Sequence, residues 1–352
     1  LINSGNYKLI CSERGFDFLL KDKILRSLII NKENCIFVNN YPDITFVENL
    51  VNEINGQKID AIIAFGGGSV IDVAKLLSIS LTLFQKKISI HDLIGKKFNF
   101  SELEKTKLIS IPTTFGTGSE VTPYATIWDF SAKKKFSLSD PKLFPDISII
   151  DPELGLTLSN QTILTTGLDS INQAAESLWN KNANPITMDF SIRSLSIGIE
   201  VLPKLLKDNN NIELWNLMAE SSLLSGLAIS HTKTALCHSI SYPLTSYFKV
   251  PHGLACAFTM PAVLNFCLKI DDGRFLRLSR YLGIENNYKE KLKNIFVRLN
   301  QDLLVKELVL SLIPSHEDLF NLTSEMFTPD RADNFIRKVT SDDIKLILEQ
   351  SI

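Results

Sequence analysis

The sequence contains no run of five like charges, and its 37 basic and 39 acidic residues leave a formal net charge of -2. That balance lacks the electrostatic footprint of a nucleic-acid binder or of a protein that docks on anionic lipid. No uninterrupted apolar stretch approaches the roughly 20 residues needed to span a bilayer. The five cysteines, Cys11, Cys35, Cys237, Cys256 and Cys267, are scattered and form no CxxC. An odd count without a framework reads as reduced thiols of a cytoplasmic protein. The opening residues also lack the charged, apolar, small-residue order of a signal peptide. There is no internal repeat and no low-complexity segment. Histidine is scarce, five in all, so the position of each one is informative.

What remains is an ordinary globular composition, 45% hydrophobic and 22% charged. A chain of 352 residues suits two domains. The first part alternates strand-like and helix-like patterns. Residues 7–11, 35–39, 61–65, 108–111 and 147–150 are short apolar runs, and helical periods cover 46–55 and 70–84. Such alternation predicts parallel βαβ units with helices on both sheet faces. Beyond residue 150 the pattern becomes helical, over 168–180, 186–206, 212–230 and 234–248. The expectation is an α/β domain over 1–150 with a parallel sheet, followed by an all-α domain over 151–352.

Two loops stand out in the first domain. Ala61-Ile62-Ile63-Ala64-Phe65 runs into Gly66-Gly67-Gly68-Ser69, and a helix containing Asp72 and Lys75 follows at once. Glycines admit a close ligand, and a helix N-terminus offers free N–H groups to a pyrophosphate. The motif is not GxGxxG, and alone it reads equally as a tight turn. The second loop, Pro112-Thr113-Thr114-Phe115-Gly116-Thr117-Gly118-Ser119-Glu120, also follows a strand. Ligands of open α/β sheets bind at the carboxyl ends of strands, so two such loops fit one dinucleotide better than either alone. The plainer reading is a helix cap at Thr117 or Ser119.

In the second domain His238 lies in a helical run and His252 in Pro251-His252-Gly253. Upstream, Asp169 and Gln173 are i and i+4 on one helix face. An Asp oxygen and two imidazoles suit Zn²⁺ or Fe²⁺. By spacing alone, a lone helical histidine is more often a satisfied core residue than a ligand, and Pro251-His252-Gly253 reads equally as a plain loop.

Taken in order, the pieces resemble the iron-containing (group III) alcohol dehydrogenases. They are Gly66-Gly67-Gly68-Ser69 with Asp72 and Lys75, Pro112-Thr113-Thr114 through Glu120, Lys135-Phe136, Asp151-Pro152-Glu153-Leu154, Thr166-Gly167-Leu168-Asp169, His238, and Pro251-His252-Gly253. The resemblance implies a dehydroquinate synthase-like fold, with the active site in a cleft between an N-terminal dinucleotide domain and a C-terminal helical domain. It implies that Gly66, Gly67, Gly68 and Ser69, with Asp72, form the pyrophosphate loop. It places Thr113, Thr114, Thr117 and Ser119 along the cofactor, and Lys135 near the nicotinamide ribose. Glu13 falls where many members carry an acidic residue on the adenosine ribose, which favours NAD over NADP, although the adjacent Arg14 pulls the other way. The metal ligands carry over as Asp169, His238 and His252. Gln173 stands where the family usually has a histidine, so it is either a weak fourth ligand or the holder of a water. Tyr242 stands where the family often has a proton-relaying histidine.

The implied activity is hydride transfer between NAD(P)H and a small aldehyde, assisted by Fe²⁺ or Zn²⁺, with Asp169, His238, His252 and Tyr242 at the reacting centre. Thr232 and Lys233, at the approach to the His238 helix, suggest a site for a substrate anion, or simply a solvated helix start. The stretch from Ser241 to Ala257 looks most like the phosphonoacetaldehyde reductase branch, whose members form 2-hydroxyethylphosphonate. Rivals are a general primary-alcohol or lactaldehyde-type dehydrogenase, a metal-independent maleylacetate-type reductase, a sugar-phosphate cyclase of the same fold, and an inactive binding protein. A homodimer or larger assembly is expected, with no nucleic-acid or membrane partner.

Overall fold

The apolar runs of the first half become strands, the central two of which bury most of their side chains. β1 (Tyr7–Cys11), β2 (Cys35–Phe37), β3 (Ala61–Gly66) and β4 (Lys107–Pro112) are followed by a hairpin of β5 (Tyr124–Asp129) and β6 (Lys134–Ser139), then by the short β7 (Ile147–Ser148). In the computed structural model, which describes residues 6–21, 32–39, 42–95, 98–129, 131–132 and 134–352, the main sheet has the order β2-β1-β3-β4-β7. Every neighbouring pair in it is parallel. All of β3 except Ile63 is buried, as expected for a strand covered on both faces. The covering helices include α1 (Glu13–Lys21), α2 (Ile44–Glu53), α3 (Gly68–Ser78), α4 (Ser80–Gln85) and α5 (Ile90–Ile94). Asp43 caps α2 by accepting from Phe46 N at 3.1 Å.

Two features depart from the sequence pattern. The predicted helix over 70–84 is interrupted at Ile79, whose φ/ψ of -105°/5° ends α3 before α4 begins. The β5–β6 hairpin was not anticipated, because β6 reads Lys-Lys-Phe-Ser-Leu-Ser and only Leu138 of it is buried. Its charged face hides the alternation that normally marks a strand.

The carboxyl ends of β3 and β4 meet through Thr113 N, which donates to Gly66 O at 3.1 Å. Beneath them lies a buried ionic cluster. The Lys75 ammonium is fully buried and donates to Ser119 Oγ at 2.9 Å, Thr122 Oγ1 at 3.3 Å and the Tyr124 carbonyl at 2.5 Å. Asp72 lies 3.7 Å from it, accepts from Ser119 Oγ at 2.6 Å and accepts from Thr126 N at 2.9 Å. Burial drives the Lys75 ammonium down to about 8, against the opposing pull of Asp72 and Glu120. Burial likewise drives the Glu120 carboxyl up to about 7, with Lys75 opposing. The cluster ties α3 to the loop after β4 and to the start of the hairpin.

The chain divides into two compact units, the first comprising the described residues through Thr114 with Ser119–Asp151, the second Phe115–Gly118 with Pro152–Ile352. The second unit is built on α6 (Asn160–Leu178), α7 (Pro185–Leu205), α8 (Ile212–Thr232), α9 (Leu236–Phe248) and α10 (His252–Cys267), with shorter helices after them. Ser159, Asn184 and Asn211 cap α6, α7 and α8 through their side chains. Beyond β7 the described residues contain no strand, only an isolated bridge between Asn180 and Phe335. The run His252–Ile270 has a mean hydropathy of 1.5 and the length of a membrane span, but 78% of it is buried within the fold. It is the central core helix, packed on α6. Contact is closest at Gly253, where a Cβ would stand 1.8 Å from the Thr165 carbonyl oxygen. Gly116 is similarly confined, 2.2 Å from the Thr166 carbonyl.

Gly253→Ala must therefore push two backbones apart. We expect a loss of about 3 kcal/mol or more, read as a lowered thermal midpoint; an unchanged midpoint contradicts the close crossing. Glu120 gives a second test. Its raised carboxyl means that the folded chain keeps a proton that the unfolded chain releases between the ordinary glutamate range and about pH 7. Stability from this group is present below that window and lost as pH rises through it. Glu120→Gln should gain about 2–3 kcal/mol on the native protein as pH rises across the window, measured by denaturant titration at several pH values. A difference that does not vary with pH contradicts the burial argument.

Candidate metal and cofactor site

The site in the helical unit starts from one face of α6. Asp169, Gln173 and Glu176 recur at i, i+4 and i+7, so their side chains share a face. All three are buried, Glu176 completely. The Glu176 carboxylate accepts from Ala235 N at 2.9 Å, from Cys237 N and from His238 N at 3.3 Å, which are the first amides of α9. A helix N-terminus is where a carboxylate is best placed electrostatically. The same carboxylate lies 2.6 Å from His238 Nδ1. A carboxylate only accepts, so Nδ1 carries a proton, and Nε2 is the nitrogen that can take a cation. Nε2 faces Asp169 Oδ1 at 3.5 Å.

His252, the first residue of α10, completes a group. Its ring meets that of His238 edge-on at 5.1 Å. One turn further along α10, Cys256 is fully buried with its Sγ 3.9 Å from both ring nitrogens of His252. One donor atom from each of Asp169, His238, His252 and Cys256 fits within a span of 4.8 Å. Asn172, on α6, donates to the Cys256 carbonyl at 3.2 Å and ties the two helices together. Burial alone lowers the His238 imidazole, but the fields of Cys256 and Glu176 and the nearby Asp169 carboxylate outweigh it and hold the ring well above its ordinary value. Burial pushes the Cys256 thiol up, with His238 opposing.

Gln173 is placed differently from these four. Its amide nitrogen donates to Asp169 Oδ2 at 3.1 Å and to the Thr117 carbonyl at 3.3 Å. Its oxygen accepts from Ser225 Oγ at 3.4 Å. Tyr242 stacks on His252 with ring centroids 6.2 Å apart, and its hydroxyl accepts from Arg331 Nε at 3.1 Å.

Glu13, the glycine loop, Thr113 and Thr114 lie in the first unit at the ends of β1, β3 and β4, whereas Lys135 lies on β6 and Thr117 in the second unit. Gly67, Gly68 and Ser69 open α3, half-buried, and Thr113 and Thr114 follow β4. Ser119 and Asp72 bond each other and Lys75, so both hydroxyl and carboxylate hold the loop. Glu13 is exposed just past β1, its amide donating to Asn39 Oδ1 at 3.1 Å. Lys135 lies on β6 with its ammonium 5.6 Å above the Trp128 ring. Thr117 belongs to the second unit and reaches Gln173 by its carbonyl. Thr232 and Lys233 stand apart from the four-donor group. Thr232 is buried with its hydroxyl 3.0 Å from Ser177 Oγ, and the Lys233 carbonyl accepts from Asn180 Nδ2 at 3.2 Å.

The donor set fits a divalent cation. Asp169 Oδ1 is buried without a hydrogen-bond partner, an expensive state for a carboxylate oxygen. A cation held by Asp169, His238 and His252 satisfies it, and the two buried carboxylates supply the negative field. Sequence reasoning missed Glu176, Cys256 and Arg331. The first two had a signal, their helical spacing from Asp169 and His252. Arg331 had none, being brought in by a helix far along the chain.

The relatives fit this geometry. The family model for iron-containing alcohol dehydrogenase matches residues 5–152, and that for the C-terminal part of the Fe-containing alcohol dehydrogenase family matches 163–352. The NAD-dependent methanol dehydrogenase of Bacillus methanolicus is 32% identical over 242 residues, 69% of this chain and 62% of that one. The phosphonoacetaldehyde reductase of Streptomyces viridochromogenes is 29% identical over 225 residues, 62% of this chain and 56% of that one. These matches thus span less than two thirds of either relative. The crystal structure of sulfoacetaldehyde reductase from Bifidobacterium kashiwanohense in complex with NAD⁺ superposes with a TM-score of 0.84 at 24% identity, covering 98% of this chain and 90% of that one. Members of the family use NAD(P) and a divalent metal. With both family models matched in order across nearly its whole length, the chain belongs to the iron-containing alcohol dehydrogenase family.

Proposed function

We propose that the protein is an NAD(P)H-dependent reductase of a small anionic aldehyde, taking phosphonoacetaldehyde to 2-hydroxyethylphosphonate. The observation that carries the reading is the arrangement of Tyr242 and Arg331 beside the Asp169, His238 and His252 donors. When bound there, a divalent metal supplies Lewis acidity toward a carbonyl oxygen. The residues hold it in place: Glu176 fixes the His238 tautomer, and Gln173 fixes the Asp169 carboxylate. Reduction consumes a hydride from the dinucleotide and a proton from water. Tyr242 is the relay for that proton, its oxygen accepting from Arg331 so that its own O–H turns elsewhere. Arg331 also brings a guanidinium to the substrate end, and the planar fork of a guanidinium matches a phosphonate bidentately. In this reading the substrate anion is met by Arg331, and Thr232, buried with its hydroxyl on Ser177, takes no part in it. Glu13, at the end of β1, favours NADH by hydrogen-bonding a ribose 2′-hydroxyl. The reading also carries a cytoplasmic setting and a dimer or larger assembly.

A second reading, a dehydrogenase of uncharged primary alcohols, is favoured by the likeness to the methanol dehydrogenase. Steady-state assays separate the two. On the first reading kcat/KM for phosphonoacetaldehyde exceeds that for propanal, and Arg331→Ala, which disturbs the Tyr242 relay for both substrates, lowers the former about 10–100-fold more than the latter, an amount expected when a charge-assisted pair is lost. Equal efficiency on both aldehydes supports the second reading and contradicts the first. Glu176→Gln keeps the shape but removes the buried charge behind His238. It should weaken metal binding by about 10–100-fold in a competitive chelator titration; an unchanged affinity would show that Glu176 does not orient the ligand.

A further inference from the structure

We propose that Cys256 is the fourth protein ligand of the metal, and that Gln173, which replaces the customary imidazole of the family, stays outside the coordination sphere. The proposal rests on the metal reading above but not on the identity of the substrate.

The first argument is distance. A tetrahedral zinc site with bonds of about 2.0–2.1 Å to nitrogen or oxygen and about 2.3 Å to sulfur has donor atoms about 3.3–3.7 Å apart. His238 Nε2 and Asp169 Oδ1 are 3.5 Å apart, and Cys256 Sγ is 3.9 Å from the nitrogens of His252. All four donors fall within the span of 4.8 Å. Small side-chain adjustments close that set on one ion. The i, i+4 spacing of His252 and Cys256 puts both donors on one face of α10.

The second argument is that the amide of Gln173 is turned the wrong way to bind a cation. Its nitrogen meets two acceptors, Asp169 Oδ2 and the Thr117 carbonyl, and its oxygen meets the Ser225 hydroxyl. Flipping the amide would set its oxygen against both acceptors, so the assignment follows from the neighbours. Gln173 therefore holds one oxygen of Asp169 and leaves the other, the unpartnered Oδ1, directed at the donors. A glutamine at this position loses an imidazole ligand, and Cys256 returns a fourth donor from another helix.

The third argument concerns which ion is held. A thiolate is softer than an imidazole, and soft donors shift preference toward zinc and away from hard, oxygen-seeking ions. Cys256 thus tilts a family site named for iron toward Zn²⁺.

The test is cobalt substitution, which reads the donor set without reference to turnover. Protein stripped with a chelator is loaded with Co²⁺ under reducing, oxygen-free conditions, and its metal content and absorption spectrum are recorded. Wild type should take up one cobalt per chain and show a near-ultraviolet thiolate-to-cobalt charge-transfer band. Cys256→Ser should lose the band, and Gln173→Ala should keep it. In competitive zinc titrations, Cys256→Ser should lose more than about 100-fold in affinity and Gln173→Ala about tenfold, the lower end of the effect of an outer-shell partner. One cobalt per chain without the band overturns the Cys256 assignment and leaves the metal reading standing, as does a band that survives in Cys256→Ser. A wild-type chain that binds no stoichiometric cobalt overturns both. The wild-type spectrum alone can overturn the proposal, so it stays testable even where a variant fails to fold.

Discussion

The helical unit depends on one buried charge. Glu176 is completely inaccessible, and an isolated carboxylate in such a place would carry a large desolvation cost. It is tolerated because it receives the first amides of α9 and the Nδ1 proton of His238. Three consequences follow from the same contact. The start of α9 is fixed against α6, the tautomer of His238 is chosen, and Nε2 is directed at Asp169. Among the described residues the ion pairs of Glu176 and Asp169 are both with His238, and a divalent cation completes the balance of their negative field.

The dinucleotide unit solves a similar problem in another way. Lys75 and Glu120 are both buried and both pushed toward neutrality, down to about 8 and up to about 7. Asp72, Ser119, Thr122 and the Tyr124 carbonyl satisfy the ammonium. Such a cluster adds little net stability compared with apolar packing, but it links segments that a hydrophobic contact would leave free to slide. Here it links α3, which opens at the glycine loop, to the segment after β4. Residues identified by motif as cofactor contacts, Asp72 and Ser119, are thus tied into the frame that shapes the loop.

Much of this was legible in the sequence, for definite reasons. The parallel strands are short apolar runs, the central ones largely buried, and the caps and glycine turns that bound them are local signals. The helical second half follows from period alone. Asp169, His238 and His252 are singled out by motif order, and their donors lie within one small span. What escaped was what depends on three-dimensional neighbours. β6 buries only Leu138, so its alternation is concealed. Cys256 reads as one scattered thiol because nothing local to it announces a ligand, whereas the helix that starts at His252 gives it a partner one turn on. The orientation of the Gln173 amide is decided by Thr117 and Ser225, which no spacing rule connects to it. Arg331 reaches Tyr242 from a segment without a motif.

The central claim is that one divalent ion sits among Asp169, His238, His252 and Cys256 on the face of α6 that Glu176 organises. Anomalous diffraction at the zinc edge, from crystals grown with zinc, tests it most directly. The account predicts a single strong peak between Asp169 Oδ1, His238 Nε2, the His252 ring and Cys256 Sγ, with the Gln173 amide still turned toward Asp169 Oδ2. A peak elsewhere, no peak, or a Gln173 oxygen at bonding distance with Cys256 turned away would contradict it.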